Sequence, residues 1–410
     1  MSNIALQLAW RNLWRHKRRT WLTVGAMIFS NALLIFSISL QFGSYDMMID
    51  NTLQAFTGHI QVQREGYLDD PKMRYTLDDI TSTAQLLRTE SGLQSIGARA
   101  AGFALVSSDE RTYGLQILGI EPQFEALVST IPGLVKQGRY LREDSAAEIV
   151  IGSVLARNLK VGLGDEITFL GSGLDDSFAA GVVKVVGIFE SGISELDRSM
   201  AQISLVYFQE AFAMQQRGHS IAIRARHIDQ VDELQRRIQV LLADRNQLVV
   251  LHWDQLQPGL KQVIQADMTS AWFMYMVLII LVAFSVLNTQ LMSVLERTRE
   301  FGVMMALGLK PGNLSRLVMM ETSMMAGLGL ALGVLVGFVI TWYLSIAGFS
   351  YPGMEEMAVK FNLPERMYPS VSILSLMLGP CIVAIGSLLA AIYPALRLYV
   401  LLPVEAMRAA

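Results

Sequence analysis

The sequence is poor in cysteine and in charge, and each shortage excludes a class of protein. Cys381 is the single cysteine, which leaves no intrachain disulfide and no cysteine-based metal site. Charged residues make up 17% of the 410 residues, whereas a typical soluble domain is about one quarter charged. Because 52% of the residues are hydrophobic, the chain has more apolar surface than a soluble core would bury. The composition therefore indicates a membrane protein.

Motifs for catalysis and for nucleotide binding are also missing. The sequence contains no G-x-x-x-x-G-K-[ST], H-E-x-x-H, C-x-x-C or G-x-S-x-G pattern. Its five histidines are scattered, and a net charge of −3 gives no basic surface for nucleic acid. We therefore predict a protein that is not an enzyme, holds no metal or cofactor, and does not bind nucleic acid.

Four apolar runs are long enough to cross a bilayer core about 30 Å thick, which takes roughly 20 helical residues. They are residues 21–42, 271–293, 324–347 and 371–396. The first run is longer than the apolar part of a signal peptide, so we interpret it as a retained span. Lysine and arginine lie before the first run, in the loop after the second and in the tail, which predicts that these segments are cytoplasmic.

The segment from about residue 44 to residue 265 is then predicted to be an outer, folded domain. It contains short apolar or alternating runs typical of strands, at residues 59–62, 114–118, 148–151, 182–186, 201–206 and 220–224. Residues 229–243 have apolar side chains at the spacing of one helix face. We predict four transmembrane helices with an α/β (α+β) domain inserted between helices 1 and 2.

A charged segment separates the second and third apolar runs. Residues 296–308 read ERTREFGVMMALG, and four charges in five positions cannot lie in lipid. This segment resembles, nearly residue for residue, the segment of FtsX/MacB-type ABC transporter permeases that contacts the ATPase. The resemblance implies an ATPase-coupling role for Glu296, Arg297, Arg299, Glu300, Phe301, Gly302, Ala306, Gly308 and Pro311.

The resemblance extends over nearly the whole chain. Further blocks follow in the family's order, at residues 118–122, 137–141, 148–152, 161–165, 186–189 and 402–408. In that family they belong to a two-lobed outer domain, which implies an inserted lobe here at about residues 121–206. The resemblance also implies a dimer or pseudo-dimer with a second permease copy or a homologous permease in the bacterial inner membrane, where membrane lipid is a further partner. It implies a separate ATPase subunit that binds ATP and Mg²⁺.

These observations predict an order of segments along the chain. The order is a cytoplasmic amphipathic and basic segment (1–20), transmembrane helix 1 (21–43), a periplasmic domain (44–265), transmembrane helix 2 with a stalk (266–294), a cytoplasmic coupling helix and turn (295–316), transmembrane helix 3 (317–347), a short periplasmic loop (348–370), transmembrane helix 4 (371–397) and a cytoplasmic tail (398–410).

The cargo is where the resemblance leaves alternatives open. The chain looks most like the lipoprotein-releasing branch, whose hairpin docks a soluble carrier, but residues 171–181 lack that hairpin's proline. A MacB-like exporter of drugs, peptides or lipids, or a membrane regulator of a periplasmic hydrolase, are the alternatives. The candidate carrier- or partner-docking residues are Gly171, Leu174, Asp175, Asp176 and Phe178.

Two helical features complete the predictions. Gly329, Gly333 and Gly337 form a small-residue stripe, interpreted as helix packing within the subunit or else as a subunit contact. No proline interrupts residues 259–308, so the second span could extend from Pro258 to Gly308 as one stalk of about 75 Å. The alternative is two helices broken near the membrane surface.

Overall fold

The computed structural model describes residues 2–15, 17–142, 147–245, 247–350, 352–354 and 366–400. The chain divides into two compact units. The helical unit comprises residues 1–45, 263–351 and 366–410, and the sheet unit comprises residues 46–262 and 352–365. The tail at 402–408 that resembles the family's ending lies outside the described residues.

Thirteen α-helices are described. They are α1 (Ser2–Arg15), α2 (Lys17–Thr52), α3 (Ile80–Ser91), α4 (Pro122–Val128), α5 (Ser153–Leu159), α6 (Ser194–Ser199), α7 (Leu205–Ala211), α8 (Val231–Leu241), α9 (Trp253–Leu256), α10 (Pro258–Glu296), α11 (Thr298–Ala306), α12 (Pro311–Ala347) and α13 (Ile373–Val400). A π-helical turn, Leu53–Thr57, follows α2.

Ten strands are described, all in the sheet unit. They are β1 (Ile60–Arg64), β2 (Ile96–Ser107), β3 (Thr112–Ile120), β4 (Val135–Gly138), β5 (Glu148–Gly152), β6 (Glu166–Ser172), β7 (Phe178–Phe189), β8 (Met200–Ser204), β9 (Ser220–Ile223) and β10 (Leu248–His252).

Four helices in the described residues are long and apolar enough to cross a membrane. They are Thr20–Thr52 within α2, and the whole of α10, α12 and α13. Each coincides with one of the four apolar runs, the last of which begins two residues before α13, so the prediction of four apolar helices is confirmed. The assignment of each segment to one side of the membrane stays a prediction.

The prediction of one unbroken helix from Pro258 to Gly308 is wrong. Helix α10 ends at Glu296, and Arg297 leaves the helical region with φ −100° and ψ 11° before α11 begins. The 39 residues of α10 still span about 58 Å, nearly twice the bilayer core. The break allows the side chain of Phe301 to pack among Val294, Leu314, Val318 and Leu398.

The ten strands form one hydrogen-bonded sheet. Its order is β10-β1-β9-β2-β3-β8-β5-β7-β4, and β6 pairs with both β2 and β7. The predicted inserted lobe at about 121–206 contains β4 to β8, but the pairings β3–β8 and β2–β6 join these strands to the rest. A separate lobe therefore stays a prediction. The sheet's core is apolar and includes Val62, Ile117, Ile151, Phe169 and Phe208.

Two buried arginine–glutamate pairs connect helices of the sheet unit to β2. Two guanidinium nitrogens of Arg99 donate to the carboxylate of Glu125 in α4, with Nη2–Oε1 and Nε–Oε2 distances of 2.6 and 3.0 Å. Arg99 also donates to the carbonyl of Phe56 in the π-helical turn. Arg88 of α3 pairs with Glu121, which also accepts a hydrogen bond from the backbone N–H of Ala98 at 2.9 Å. Every one of these four side chains is buried, as is expected only for paired charges.

A buried histidine is held in its neutral form beside this core. His219 Nδ1 accepts a hydrogen bond from the Ala101 N–H at 2.9 Å, and Nε2 lies 3.2 Å from the Met73 carbonyl. The ring stacks on Tyr67, with centroids 5.1 Å apart. Burial lowers the pKa of His219 to about 4 and raises the pKa of Tyr67 to about 12.

Candidate functional site

The charged segment, residues 296–311, folds into the short helix α11 and a tight turn. Gly308 has φ +95°, a conformation that suits glycine, and its N–H binds the Met305 carbonyl at 3.0 Å. The Leu309 N–H binds the Met304 carbonyl at 3.1 Å, so the Met304 and Met305 carbonyls near the end of α11 are both satisfied. Pro311 then occupies the first turn of α12, where its missing N–H costs nothing.

Arg297 is the anchor of this segment. Its Nη1 lies 3.0 and 3.1 Å from the two carboxylate oxygens of Glu321 in α12, and its Nε lies 3.3 Å from Glu300. Its guanidinium also lies over the ring of Phe301, 4.9 Å from the centroid. Glu321 in addition accepts a hydrogen bond from Asn12 of α1 at 2.7 Å. One buried carboxylate therefore connects α1, α11 and α12.

The segment separates into a buried and an exposed side. Arg297, Phe301 and Gly302 are buried, and the predicted coupling residues Glu296, Arg299, Glu300, Ala306 and Gly308 are exposed. Three apolar side chains that motif reasoning did not single out are exposed beside them: Val303, Leu307 and Leu309. Within the described residues Arg299 has no ion-pair partner. The exposed side thus presents the Arg299 cation beside an apolar surface.

The glycine stripe lies against α2. A methyl group at Gly329 would meet Met27, one at Gly333 would come within 2.6 Å of the Asn31 Cβ, and one at Gly337 would meet Ile35. These three positions let α12 approach α2 at single-turn intervals. The structure thus places the stripe on a contact within the chain.

An open cavity of about 440 Å³ lies between α2 and α10 in the helical unit. Its polar end is a hydrogen-bonded cluster in which Tyr45 donates to Asp267 at 2.6 Å and Tyr275 donates to Gln41 at 2.7 Å. The rest of the lining is largely apolar and includes Leu40, Ala271 and Met274. Motif reasoning missed this cluster because its members are spread over two spans. The signal that could have found it is a carboxylate, Asp267, at the border of an apolar run.

The predicted docking loop is the turn of the β6–β7 hairpin. Asp175 Oδ1 accepts from the Ser177 N–H at 3.1 Å, and hydrogen bonds from Ser177 lower the pKa of Asp175. Asp175 and Asp176 are exposed, whereas Gly171 pairs with β2 and Leu174 packs against the core of the sheet unit. Phe178, in contrast, is 87% exposed.

Phe178 belongs to a larger exposed surface, which we call the apolar strip. The strip lies on one face of β2, β6 and β7, because Leu105 pairs with Leu170, Ser172 with Phe178, and Thr168 with Val182. Its exposed members are Phe103, Leu105, Leu170, Phe178 and Val182. The alternation of polar and apolar residues at the start of β6, from Glu166 to Phe169, could have indicated this strand, but the sequence analysis missed it.

Within the described part of the chain, no three His, Cys, Asp or Glu residues are grouped closely enough to hold a metal ion.

Two family models match this chain. One, described as a MacB-like periplasmic core domain, matches residues 20–241, which is more than half of the chain. The other, described as FtsX-like permease C-terminal, matches residues 272–399 and includes the charged segment. The chain belongs to the FtsX/MacB family of ABC transporter permeases.

Curated relatives of this permease include lipoprotein-releasing proteins and export proteins. It is 26% identical to the lipoprotein-releasing system transmembrane protein LolC of Xylella fastidiosa, over 73% of this chain and 74% of the relative. It is 24% identical to LolE of Haemophilus influenzae, over 91% and 90%. The pyoverdine export ATP-binding/permease protein PvdT of Pseudomonas putida is 26% identical over 88% of this chain but 54% of the relative. The class of protein is shared by both groups, while the cargo differs.

Proposed function

We propose that this permease is a non-catalytic subunit of an inner-membrane ABC transporter that releases lipoproteins. It would act with a separate ATPase that binds ATP and Mg²⁺, and with a second permease copy or a homologous permease. The observation that carries this proposal is the match to LolE over 91% of this chain and 90% of the relative. PvdT, by comparison, is matched over 54% of its length.

The charged segment supports the ATPase contact. Arg297 and Phe301 fix α11 in the helical unit, and Arg299 with Leu307 and Leu309 remains exposed. An exposed cation beside apolar side chains suits a partner surface with an acidic rim and an apolar centre. Motion of the ATPase would then reach α12 through the Arg297–Glu321 pair.

The cavity between α2 and α10 supports an amphiphilic cargo. Its apolar lining suits acyl chains, and the hydroxyl, amide and carboxylate groups of its polar end suit the hydrogen-bonding groups to which such chains are attached. The apolar strip would serve a periplasmic carrier or adaptor, since an exposed apolar patch usually marks an interaction site.

Reconstitution tests this cargo. Proteoliposomes would contain the permease, its ATPase and a fluorescent acylated lipoprotein, with a soluble lipoprotein carrier outside. We expect ATP-dependent transfer to the carrier, and capture of the lipoprotein by a photo-cross-linking residue at Met274 but not at the exposed control position Leu335 of α12. Transfer that proceeds without ATP, or equal capture at both positions, would contradict the proposal.

Cysteine labelling tests the orientation, with both termini cytoplasmic. In a C381S background, a membrane-impermeant reagent should label D175C in cells with a permeabilised outer membrane and should leave K310C unlabelled. Labelling at position 310 without lysis of the inner membrane would refute the four-span arrangement.

Export of a small amphiphile is the second candidate, and the match to PvdT over 88% of this chain favours it. It predicts ATP-dependent efflux from the same proteoliposomes without any carrier.

A further inference from the structure

The first 45 residues contain no acidic side chain. Asp46 is the first carboxylate of the chain, whereas Arg11, Arg15, Lys17, Arg18 and Arg19 precede it. Where a membrane meets water, such a one-sided charge distribution attracts an anionic surface. The structure shows where several of these cations lie.

Helix α1 packs on the helical unit along one narrow face. Ala9 and Leu13, four residues apart, are buried, and Leu13 contacts the group formed with Val24 and Met325. Arg11 and Arg15 form a second pair four residues apart, and both are exposed. The arginine face of α1 is therefore not the face that packs.

Tryptophans mark a third face of the same helix. Trp10 and Trp14 meet edge to face with centroids 5.7 Å apart, and Trp14 meets Trp21 of α2 at 6.1 Å. Trp10 and Trp21 are exposed. Indole rings concentrate at the depth of lipid headgroups, where one edge is apolar and the other can donate a hydrogen bond. The row of three indoles thus indicates the depth of the α1–α2 junction.

Three cations at this junction are available to a ligand. Arg15 is paired with Glu300 at 3.0 Å, but Arg11, Lys17 and Arg18 are exposed and have no ion-pair partner among the residues that the structure describes. We propose that Arg11, Lys17 and Arg18, beside the indoles of Trp10, Trp14 and Trp21, form a binding surface for anionic phospholipid headgroups.

This surface is joined to the charged segment by two contacts. Asn12 donates to Glu321, and Arg15 pairs with Glu300. Both carboxylates are also bound by Arg297. Headgroups that hold α1 against the bilayer therefore also restrain the segment proposed to contact the ATPase, and this consequence depends on the proposed function.

Tryptophan quenching tests lipid binding independently of that function. The full chain, as a W272F/W342F variant that removes two exposed span indoles, is placed in phosphatidylcholine nanodiscs with a minority of brominated lipid. We expect brominated phosphatidylglycerol to quench more strongly than brominated phosphatidylcholine. The difference should shrink as salt is raised, because screening weakens exposed charge interactions. Nanodiscs present both leaflets, so a wrong orientation would leave this result unchanged.

Substitutions then locate the binding surface. Each basic side chain near an anionic surface strengthens binding about fivefold, so R11Q/K17Q/R18Q should lower the preference for phosphatidylglycerol more than about tenfold. The charge-conserving R11K/R18K should retain it. K136Q/R157Q/K184Q, which removes three exposed cations of the sheet unit, is the matched control and should also retain it.

Three outcomes would overturn the proposal. The first is equal quenching by the two brominated lipids when Arg11, Lys17 and Arg18 are all present. The second is a preference for phosphatidylglycerol that does not change with salt. The third is an unchanged preference for phosphatidylglycerol in R11Q/K17Q/R18Q. If that variant instead loses copurification of the ATPase while its lipid preference is unchanged, the surface binds an acidic face of the ATPase and not lipid.

Discussion

Both units of this permease contain buried arginine–glutamate pairs, and a pair from each unit, Arg99–Glu125 and Arg297–Glu321, can be compared by what surrounds it. The side chains of Arg99 and Glu125 in the sheet unit are 2% and 0% exposed. Those of Arg297 and Glu321 in the helical unit are 10% and 7% exposed. The first pair ends within the core, since its remaining donor binds a backbone carbonyl of Phe56.

The second pair continues towards the surface. From Arg297 the contacts pass to Glu300 and then to Arg15, whose side chains are 42% and 62% exposed. We call the Arg99–Glu125 pair closed, because its contacts end within the core, and the Arg297 contacts an open chain. A closed pair fixes one arrangement, because breaking it leaves a buried charge unpaired. An open chain of ion pairs can exchange partners at its exposed end while its buried end stays fixed. The difference suggests that the sheet unit is built for rigidity and the charged segment for transmitting contact.

The largest expected effect is on Arg99. R99M leaves the Glu125 carboxylate buried without its partner, which should cost roughly 3–5 kcal/mol of unfolding free energy. R99M/E125M should recover most of that loss, since replacing both charges by apolar groups is often neutral. Chemical denaturation of the full chain, followed by fluorescence, measures both. If R297M lowers the unfolding free energy as much as R99M does, the contrast between the closed pair and the open chain is wrong.

The next prediction concerns pH and the same rigid core. In the unfolded chain His219 binds a proton below its ordinary pKa of about 6.5, but in the folded chain burial delays this until about pH 4. The unfolded state therefore binds more protons between these values, so stability falls as the pH is lowered from 6.5 towards 4. The loss approaches about 3 kcal/mol at the lower limit.

H219Q should flatten this part of the pH profile of unfolding, because glutamine can accept from Ala101 and donate to Met73 without titrating. H227Q, at an exposed histidine, is the control and should leave the slope as it is. An H219Q profile as steep as the wild type would assign the acid sensitivity to other groups.

The sequence predicts the helical unit better than the sheet unit, for a physical reason. A membrane span needs about 20 apolar residues in a row, and each of the four runs meets that length. Strands β1, β3, β5, β7, β8 and β9 lie at predicted positions, because their apolar residues alternate or cluster. Strand β2 was missed because its stretch of alanine and glycine, Gly97 to Gly102, has little β-propensity. Its pairing with three other strands, β3, β6 and β9, determines its conformation.

The charged segment shows the same limit within a motif. The pattern indicates the segment as a whole, yet Arg297 is buried and Arg299 is exposed. Residues two apart on a helix point about 200° apart, so a helical interpretation already implies that the two arginines cannot share one role. Which of them faces inward depends on Glu321, 24 positions away from Arg297, and on where α10 ends.

Packing of the glycine stripe is expected to have an intermediate effect. G333A places a methyl group 2.6 Å from the Asn31 Cβ, so α12 must shift away from α2 at a cost of about 1–3 kcal/mol. G327A is the matched control on the same helix, because nothing lies within 4 Å of its methyl position and alanine favours a helix over glycine. Thermal unfolding of the two variants compares them. Equal midpoints would assign the stripe to a contact outside this chain.

The smallest effect on stability, and the sharpest on function, is expected at Arg299. R299E removes an exposed side chain that has no ion-pair partner among the described residues, so the unfolding free energy should change by less than about 0.5 kcal/mol. Copurification of the ATPase and transport should nevertheless be lost, because the partner surface then meets a like charge. R299K, which keeps the charge, should retain partial binding, and R297M should lose stability and ATPase binding together. Normal copurification with R299E would place the ATPase contact elsewhere and leave the open chain of ion pairs without its proposed use.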